Sequence, residues 1–404
     1  MEGGSTKIYT TDKIFRLSDS QPLGAMVFGD NDIDGVPFGI VIKAYRDSLG
    51  DRRFDTVGEC AEDFLGFLTE GCPVNGVRMV TEEHVRAETT RMTCRVWKNL
   101  AESAMSEWDA RRSEGAQACV SPDSLMAAGI QRALNDLRDR TGGNLPTANL
   151  GDVAGAVAGC RSLLEREEPA ISFGMHESGF VKLVAAMMGT PGSTDDYTGL
   201  VFAGYGDKEH YPSIREYRVA GLFRSGLNHM YKGEIGIDAE VQSWIGSFAQ
   251  SDVIRSYLYG INEGLQMRIC DTMRRMLDDA TPAIVDSTDA EYMRENVERR
   301  NQILIDSFVS SLEMYEEERF LDPVRRSIMF LSKDELAVLA ESLINFTSLR
   351  RRVSDEYETV GGPVDIAIIS KHEGFVWVKR KQYFNYELNH RYAEQQWRWA
   401  NGGV

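Results

Sequence analysis

Apolar positions recur with two different periods along this chain, and the switches between them divide it into elements. Lys13–Ser18 (KIFRLS) alternates as a strand does, and Leu23–Phe28 (LGAMVF) is a denser apolar run. Ser18–Pro22 between them carries turn residues, so the pair predicts an antiparallel hairpin. Ile33–Leu49 then places Ile33, Val36, Phe38, Ile40, Val41, Ala44 and Tyr45 near one helical face, with Gly50 as a stop. Thr56–Leu68 repeats that pattern at Cys60, Phe64, Leu65 and Leu68.

From Glu82 the character changes. Long polar stretches with apolar stripes, Glu82–Arg112, Pro122–Arg140 and Asp152–Glu167, are joined by Gly/Ser/Pro-bearing segments and contain few β-branched runs. With Ser172–Gly189 they predict an all-α insertion over residues 82–189. Strand patterns return at Tyr197–Tyr205, Ser213–Phe223, Asn228–Ile237 and Val241–Phe248, followed by helices over Asp252–Asp279, Glu291–Arg319 and Leu331–Val353. Ser332 with Glu335 three residues on spells a capping box for the last of these. Val364–Ser370 and Phe375–Arg380, separated by a turn at Lys371–Gly374, predict a closing hairpin, and an aromatic tail runs from Tyr383 to Trp399. Strands in sequential antiparallel groups with helices between them exclude a doubly wound parallel sheet and fit an α+β fold.

Composition narrows the function classes. Over 404 residues, 42% hydrophobic and 26% charged is the balance of a water-soluble globular protein. No apolar run is long enough to span a bilayer, and MEGGSTKIYT has no apolar core of a signal peptide, so the expected location is the cytoplasm. The net charge of −17 repels phosphate backbones and argues against nucleic acid as a partner. Its basic clusters, Arg350–Arg352 and Lys379–Lys381, read as solvated or ion-paired faces in preference to an anion site. The six cysteines contain no C-x-x-C pair, and the six histidines contain no H-x-x-x-H, so neither zinc nor a disulfide framework is expected. No cofactor is expected either: the glycines at Gly204, Gly206, Gly361 and Gly362 are not followed by G-K-[ST], and G-x-S-x-G is absent. Asp30, Asp32, Asp34 and Gly35 open a calcium-loop pattern, but Val41 stands where the bidentate Glu belongs, which leaves helix capping by Asp32 or Asp34 as the expectation. Thr10 and Thr11 lie near Lys13 but lack an adjacent base and read as strand or turn hydroxyls.

Three passages, KIFRLSDSQPLGAMVFGDNDID, LSKDELAVLAESLI and TVGGPVDIAIISKHEGFVWVKR, together with YTGLVFAGYGD, resemble in order the proteasome subunit fold of the N-terminal-nucleophile hydrolases, over about half the chain. The resemblance implies an αββα sandwich of two antiparallel sheets flanked by helices, with residues 1–81 and 190–404 as the core and the helical insertion between them. It implies an amide-bond hydrolase of the threonine-peptidase kind, assembled as a homo-oligomer. It puts the family's lysine on Lys13, the oxyanion-hole backbone at Phe28–Gly29 (with Phe28 where the family has glycine), and its later serine at Ser247 or Ser251. The family carries its nucleophile on the first of two strands ahead of that lysine, whereas the twelve residues before Lys13 contain no apolar strand. The expectation is therefore the fold without its nucleophile, with a non-catalytic scaffold that binds partner proteins as the alternative.

Overall fold

The computed structural model describes residues 12–113, 120–167, 169–194, 196–249, 251–284, 290–353, 364–381, 388–391 and 394. The chain divides into two compact units, one comprising Thr11–Ile237 with Ile369–Gly374, the other Met1–Thr10, Asp238–Ile368 and Phe375–Val404.

The first unit begins with β1 (Ile14–Arg16) and β2 (Leu23–Gly29), then the short hairpin β3 (Asp32–Ile33) and β4 (Val36–Pro37). Helices α1 (Phe38–Leu49) and α2 (Val57–Thr69) follow, then a second short hairpin, β5 (Pro73–Val74) with β6 (Val77–Arg78). Four helices come next: α3 (Glu82–Ser113), α4 (Pro122–Arg140), α5 (Leu150–Glu167) and α6 (Phe173–Gly189). Three long strands close the unit, β7 (Thr198–Gly204), β8 (Ser213–Phe223) and β9 (Gly226–Gly236). The sheet order β1-β2-β7-β8-β9 is antiparallel throughout. It is an up-and-down meander, and everything from β3 to α6 is inserted between the neighbours β2 and β7.

Two cores hold this unit together. Strand alternation sends Leu23, Ala25, Val27, Leu200, Phe202, Tyr217 and Val219 to one face of the sheet, where Val41, Ile42 and Tyr45 of α1 and Cys60, Phe64 and Leu68 of α2 cover them. Phe64 packs edge-on at 5.4 Å from Phe202 and 4.9 Å from Tyr45. Each such side chain contributes about 1.5–3 kcal/mol by leaving water. A second cluster joins α3 to α6 around Trp97, whose ring lies 4.7 Å from Phe173 and 5.2 Å from Phe180.

The second unit contains α7 (Ser251–Tyr259), α8 (Glu263–Ile284) and α9 (Ala290–Glu316), which continues through a π-helical turn (Glu317–Leu321) into α10 (Asp322–Ile328). Helix α11 (Lys333–Val353) follows; of the hairpin β10 (Ile366–Ser370) and β11 (Gly374–Lys379), the stretch Ile369–Gly374 is counted with the first unit and the rest with the second. Glu335 accepts the backbone N–H of Ser332 at 2.8 Å, the return half of the capping box.

The protein is of the α+β class. The finer expectations fare unevenly. Among the described residues, one sheet has five strands and the others have two each. Val241–Phe248 is not a strand: its residues 241–247 are irregular, Ser243 donates to the Arg325 carbonyl at 2.8 Å, and the Trp244 ring folds back over Gly246. The helix expected from Ile33 starts only at Phe38, because Asp34 (φ 52°) and Gly35 (φ 89°) form the tight turn of β3–β4. Neither Asp32 nor Asp34 caps α1, whose first turn follows Pro37 without a side-chain cap. Asp32 instead accepts the Gly35 N–H at 2.7 Å. The helix expected over Asp252–Asp279 is broken between α7 and α8 at Gly260, which sits at φ 76°.

Candidate functional site

The site is built where β2 leaves the sheet. Lys13, just ahead of β1, lies in register beside β2, its carbonyl accepting the Val27 N–H at 2.8 Å. Its ammonium donates to Asn31 Oδ1 at 3.3 Å. Between them the chain turns at Gly29, with φ 73° and the Tyr197 carbonyl 2.6 Å from where a Cβ would stand, so only glycine fits. Thr198 Oγ1 then donates to the carbonyls of Asp30 (2.9 Å) and Asp32 (3.2 Å), which fixes the acidic segment against the start of β7.

This segment walls a cavity of about 230 Å³ whose charged lining is Asp30, Asp32, Asp34, Glu88, Arg91, Arg95 and Asp196. Two carboxyls are buried in it, Asp34 at 4% exposure and Glu88 at 7%. Asp34 accepts the Leu222 N–H with both oxygens at 3.3 Å. Gly221 passes so close that a Cβ there would stand 3.0 Å from Asp34 Oδ1 and 3.5 Å from Glu88 Cγ. Glu88 pairs with Arg91 at 2.7 Å and lies 3.8 Å from Arg95, whose Nε reaches Asp196 at 3.0 Å.

Burial and the neighbouring Glu88 carboxylate push Asp34 up to about 8, against the weaker pull of the Leu222 N–H and Arg91. At neutral pH it therefore keeps its proton. Burial also raises Glu88, with Arg91 and Arg95 holding it down. Asp30 is raised first by burial and then by Asp196 and Asp32, while Arg95 and Lys13 oppose the shift. The arrangement offers a positioned ammonium at the sheet end, a buried acid with its proton in place, and two guanidiniums for a polar group. Perturbed carboxyls in a cavity are a recurrent mark of functional sites. A larger groove of about 630 Å³ beside α3 and α5 lacks such a cluster, and its Arg224 and Asp152 are paired with each other at 2.7 Å.

Of the residues the sequence singled out, Lys13 pairs through its carbonyl with Val27, two residues before Gly29. Ser247 lies in the other compact unit, in the irregular stretch 241–247, and Ser251 opens α7 there. Thr10 and Thr11 and most of the aromatic tail lie outside the described residues. Sequence reasoning missed Glu88, Arg91, Arg95 and Asp196, although the three to seven residue spacing of the first three places them on one face of α3. Of the histidines, His176 is bound at 3.0 Å to Asp123 in the helical layer and His84 to Thr81 at 2.7 Å.

No family model, no curated protein and no solved structure matches the chain. Among the described residues no group of His, Cys, Asp and Glu is placed to hold a metal ion, and no helix is long and apolar enough to cross a membrane.

Proposed function

We propose that this sheet end is the working end of an amide-bond hydrolase of the N-terminal-nucleophile type, with Lys13 as the cation beside the nucleophile. The observation that carries the reading is the placing of Lys13 across the end of β2, by the Val27–Lys13 hydrogen bond and the 3.3 Å contact to Asn31 on either side of Gly29 in the chain. An ammonium held there lowers the pKa of an adjacent amine or hydroxyl and stabilises charge developing on a carbonyl oxygen. The positive φ of Gly29 turns the backbone where an oxyanion-binding N–H would be presented.

The sandwich belongs to this proposal. The face of the sheet turned away from α1 and α2 carries Met26, Val201, Ala203 and Ile214 in adjacent rows, with Glu216 and Arg218 further along β8. Such a sheet suits the middle of a layered fold. A second sheet would build on the β10–β11 pair.

The test is a mechanism-based β-lactone or epoxyketone probe applied to the protein purified from its native source, with a fluorogenic peptide assay alongside. The expected result is one adduct on an amino-terminal Thr, Ser or Cys, and a drop in turnover of roughly 10²–10³-fold on Lys13→Ala. A folded protein that neither takes the probe nor cleaves any amide overturns the proposal. The second reading, a non-catalytic assembly protein, is favoured by the apolar side chains that α8, α9 and α11 expose, among them Met276, Ile303, Met314 and Val338. That reading predicts association without an adduct.

A further inference from the structure

Helix α9 has two apolar faces. One, carrying Ile305, Phe308 and Leu312, is turned into its own unit, with Ile305 at 4% exposure. The other is turned to solvent: Ile303, Leu304, Met314 and Tyr315 are exposed by 61%, 47%, 63% and 58%. At 100° per residue these four fall within one arc on the side opposite Ile305.

That outer face is symmetric about position 309. Ile303 and Leu304 stand six and five residues before it, Met314 and Tyr315 five and six after it. Ser307 and Ser311, both exposed, lie two residues either side. Arg300, and Glu318 in the π-helical turn that continues α9, both exposed, lie nine residues either side and carry opposite charge. Neither makes an ion pair within its own chain among the described residues.

A face with this symmetry complements itself when a second copy is laid across it antiparallel. We propose that α9 is the contact of a two-fold homodimer in which α9 of one copy packs antiparallel on α9 of the other. The Ile303–Leu304 step then lies over the Met314–Tyr315 step of the second copy, twice. The serines meet at the crossing, where small side chains let the backbones approach, and Arg300 reaches Glu318 across each end. An isologous interface requires this reciprocity, residue i on j and j on i. Opposite charges at the two ends fix the antiparallel direction, because a parallel pairing would place Arg300 on Arg300 and Glu318 on Glu318. The proposal does not rest on the hydrolase reading.

The experiment is sedimentation equilibrium of the full chain over a concentration series, for wild type, Arg300→Glu, Glu318→Arg, the double swap and Ile303→Glu. Wild type is expected to dimerise. Each single swap sets like charges against each other at both ends and raises the dissociation constant by about tenfold or more, and the double swap restores it. Ile303→Glu, a solvent-facing position that leaves the folded unit intact, abolishes the dimer. A wild type that stays monomeric at about 100 µM overturns the proposal. So does association that ignores these substitutions, or a double swap no tighter than the singles.

Discussion

At the scale of single residues, Asp34 is the most informative position. Its φ of 52° belongs to the left-handed region, where Asn and Asp are the best tolerated side chains after glycine. Its folded value of about 8 lies above the ordinary 3.8. Through that window the folded protein holds a proton that the unfolded chain has released, so stability falls as pH rises from about 4 to about 8 and is level above. Asp34→Asn keeps an acceptor for the Leu222 N–H and removes the ionisation. The variant should match wild type near pH 4, exceed it by up to about 5 kcal/mol at pH 9, and show a flatter profile in urea unfolding. Asp34→Ala, which also removes the ionisation but leaves that buried N–H unpaired, should lie about 1–3 kcal/mol below Asp34→Asn at every pH. A wild-type profile that rises between pH 6 and 9 would show the carboxyl to be ionised and stabilising.

Elements were legible where one period ran undisturbed. β8 and α4 keep the bounds the pattern predicted, Ser213–Phe223 and Pro122–Arg140, because each buries one regular face and ends at clear punctuation. The two short hairpins were not read, although each carries its signal. Asp34–Gly35 and Asn75–Gly76 have positive φ at both turn residues, and each joins strands too short to show alternation. The helical layer also hides a preference that its pattern does not show. Trp97 is fully buried, and its Nε1 has no hydrogen-bond partner among the described residues. Trp97→Ala should therefore cost about 3–5 kcal/mol for the cavity between Phe173 and Phe180, while Trp97→Phe gives back part of that by removing a buried donor. Thermal melts of the two variants decide it; equal losses would mean that the indole N–H is satisfied.

At the scale of the molecule, the candidate site was half legible. Lys13 and Gly29 stand out through local sequence, whereas Glu88, Arg91, Arg95 and Asp196 reach the cavity only because α3 and the start of β7 are inserted beside the end of β2. No local pattern encodes that meeting. The same scale sets an uneven stability. The first unit has two extended apolar cores. In the second, Val253, Leu258, Ile305, Leu321, Ala337 and Ile366 are the buried apolar side chains among the described residues.

Local opening is cheapest where little apolar surface is lost, so amides of α8, α9 and α11 should exchange with deuterium well before those of β2, β7 and β8. Dimerisation through α9 adds a condition that separates this helix from its neighbours. A partner that binds only the folded helix protects it by RT ln(1 + [L]/Kd), so α9 should slow as protein concentration rises. A hundredfold excess over the dissociation constant corresponds to about 2.7 kcal/mol. Amides of α11, outside the proposed contact, should respond far less. Arg300→Glu should return α9 to the concentration-independent rate, and the double swap with Glu318→Arg should slow it again. If α9 exchanges at one rate from dilute to concentrated solution while α11 slows, association runs through another surface and the antiparallel pairing is wrong.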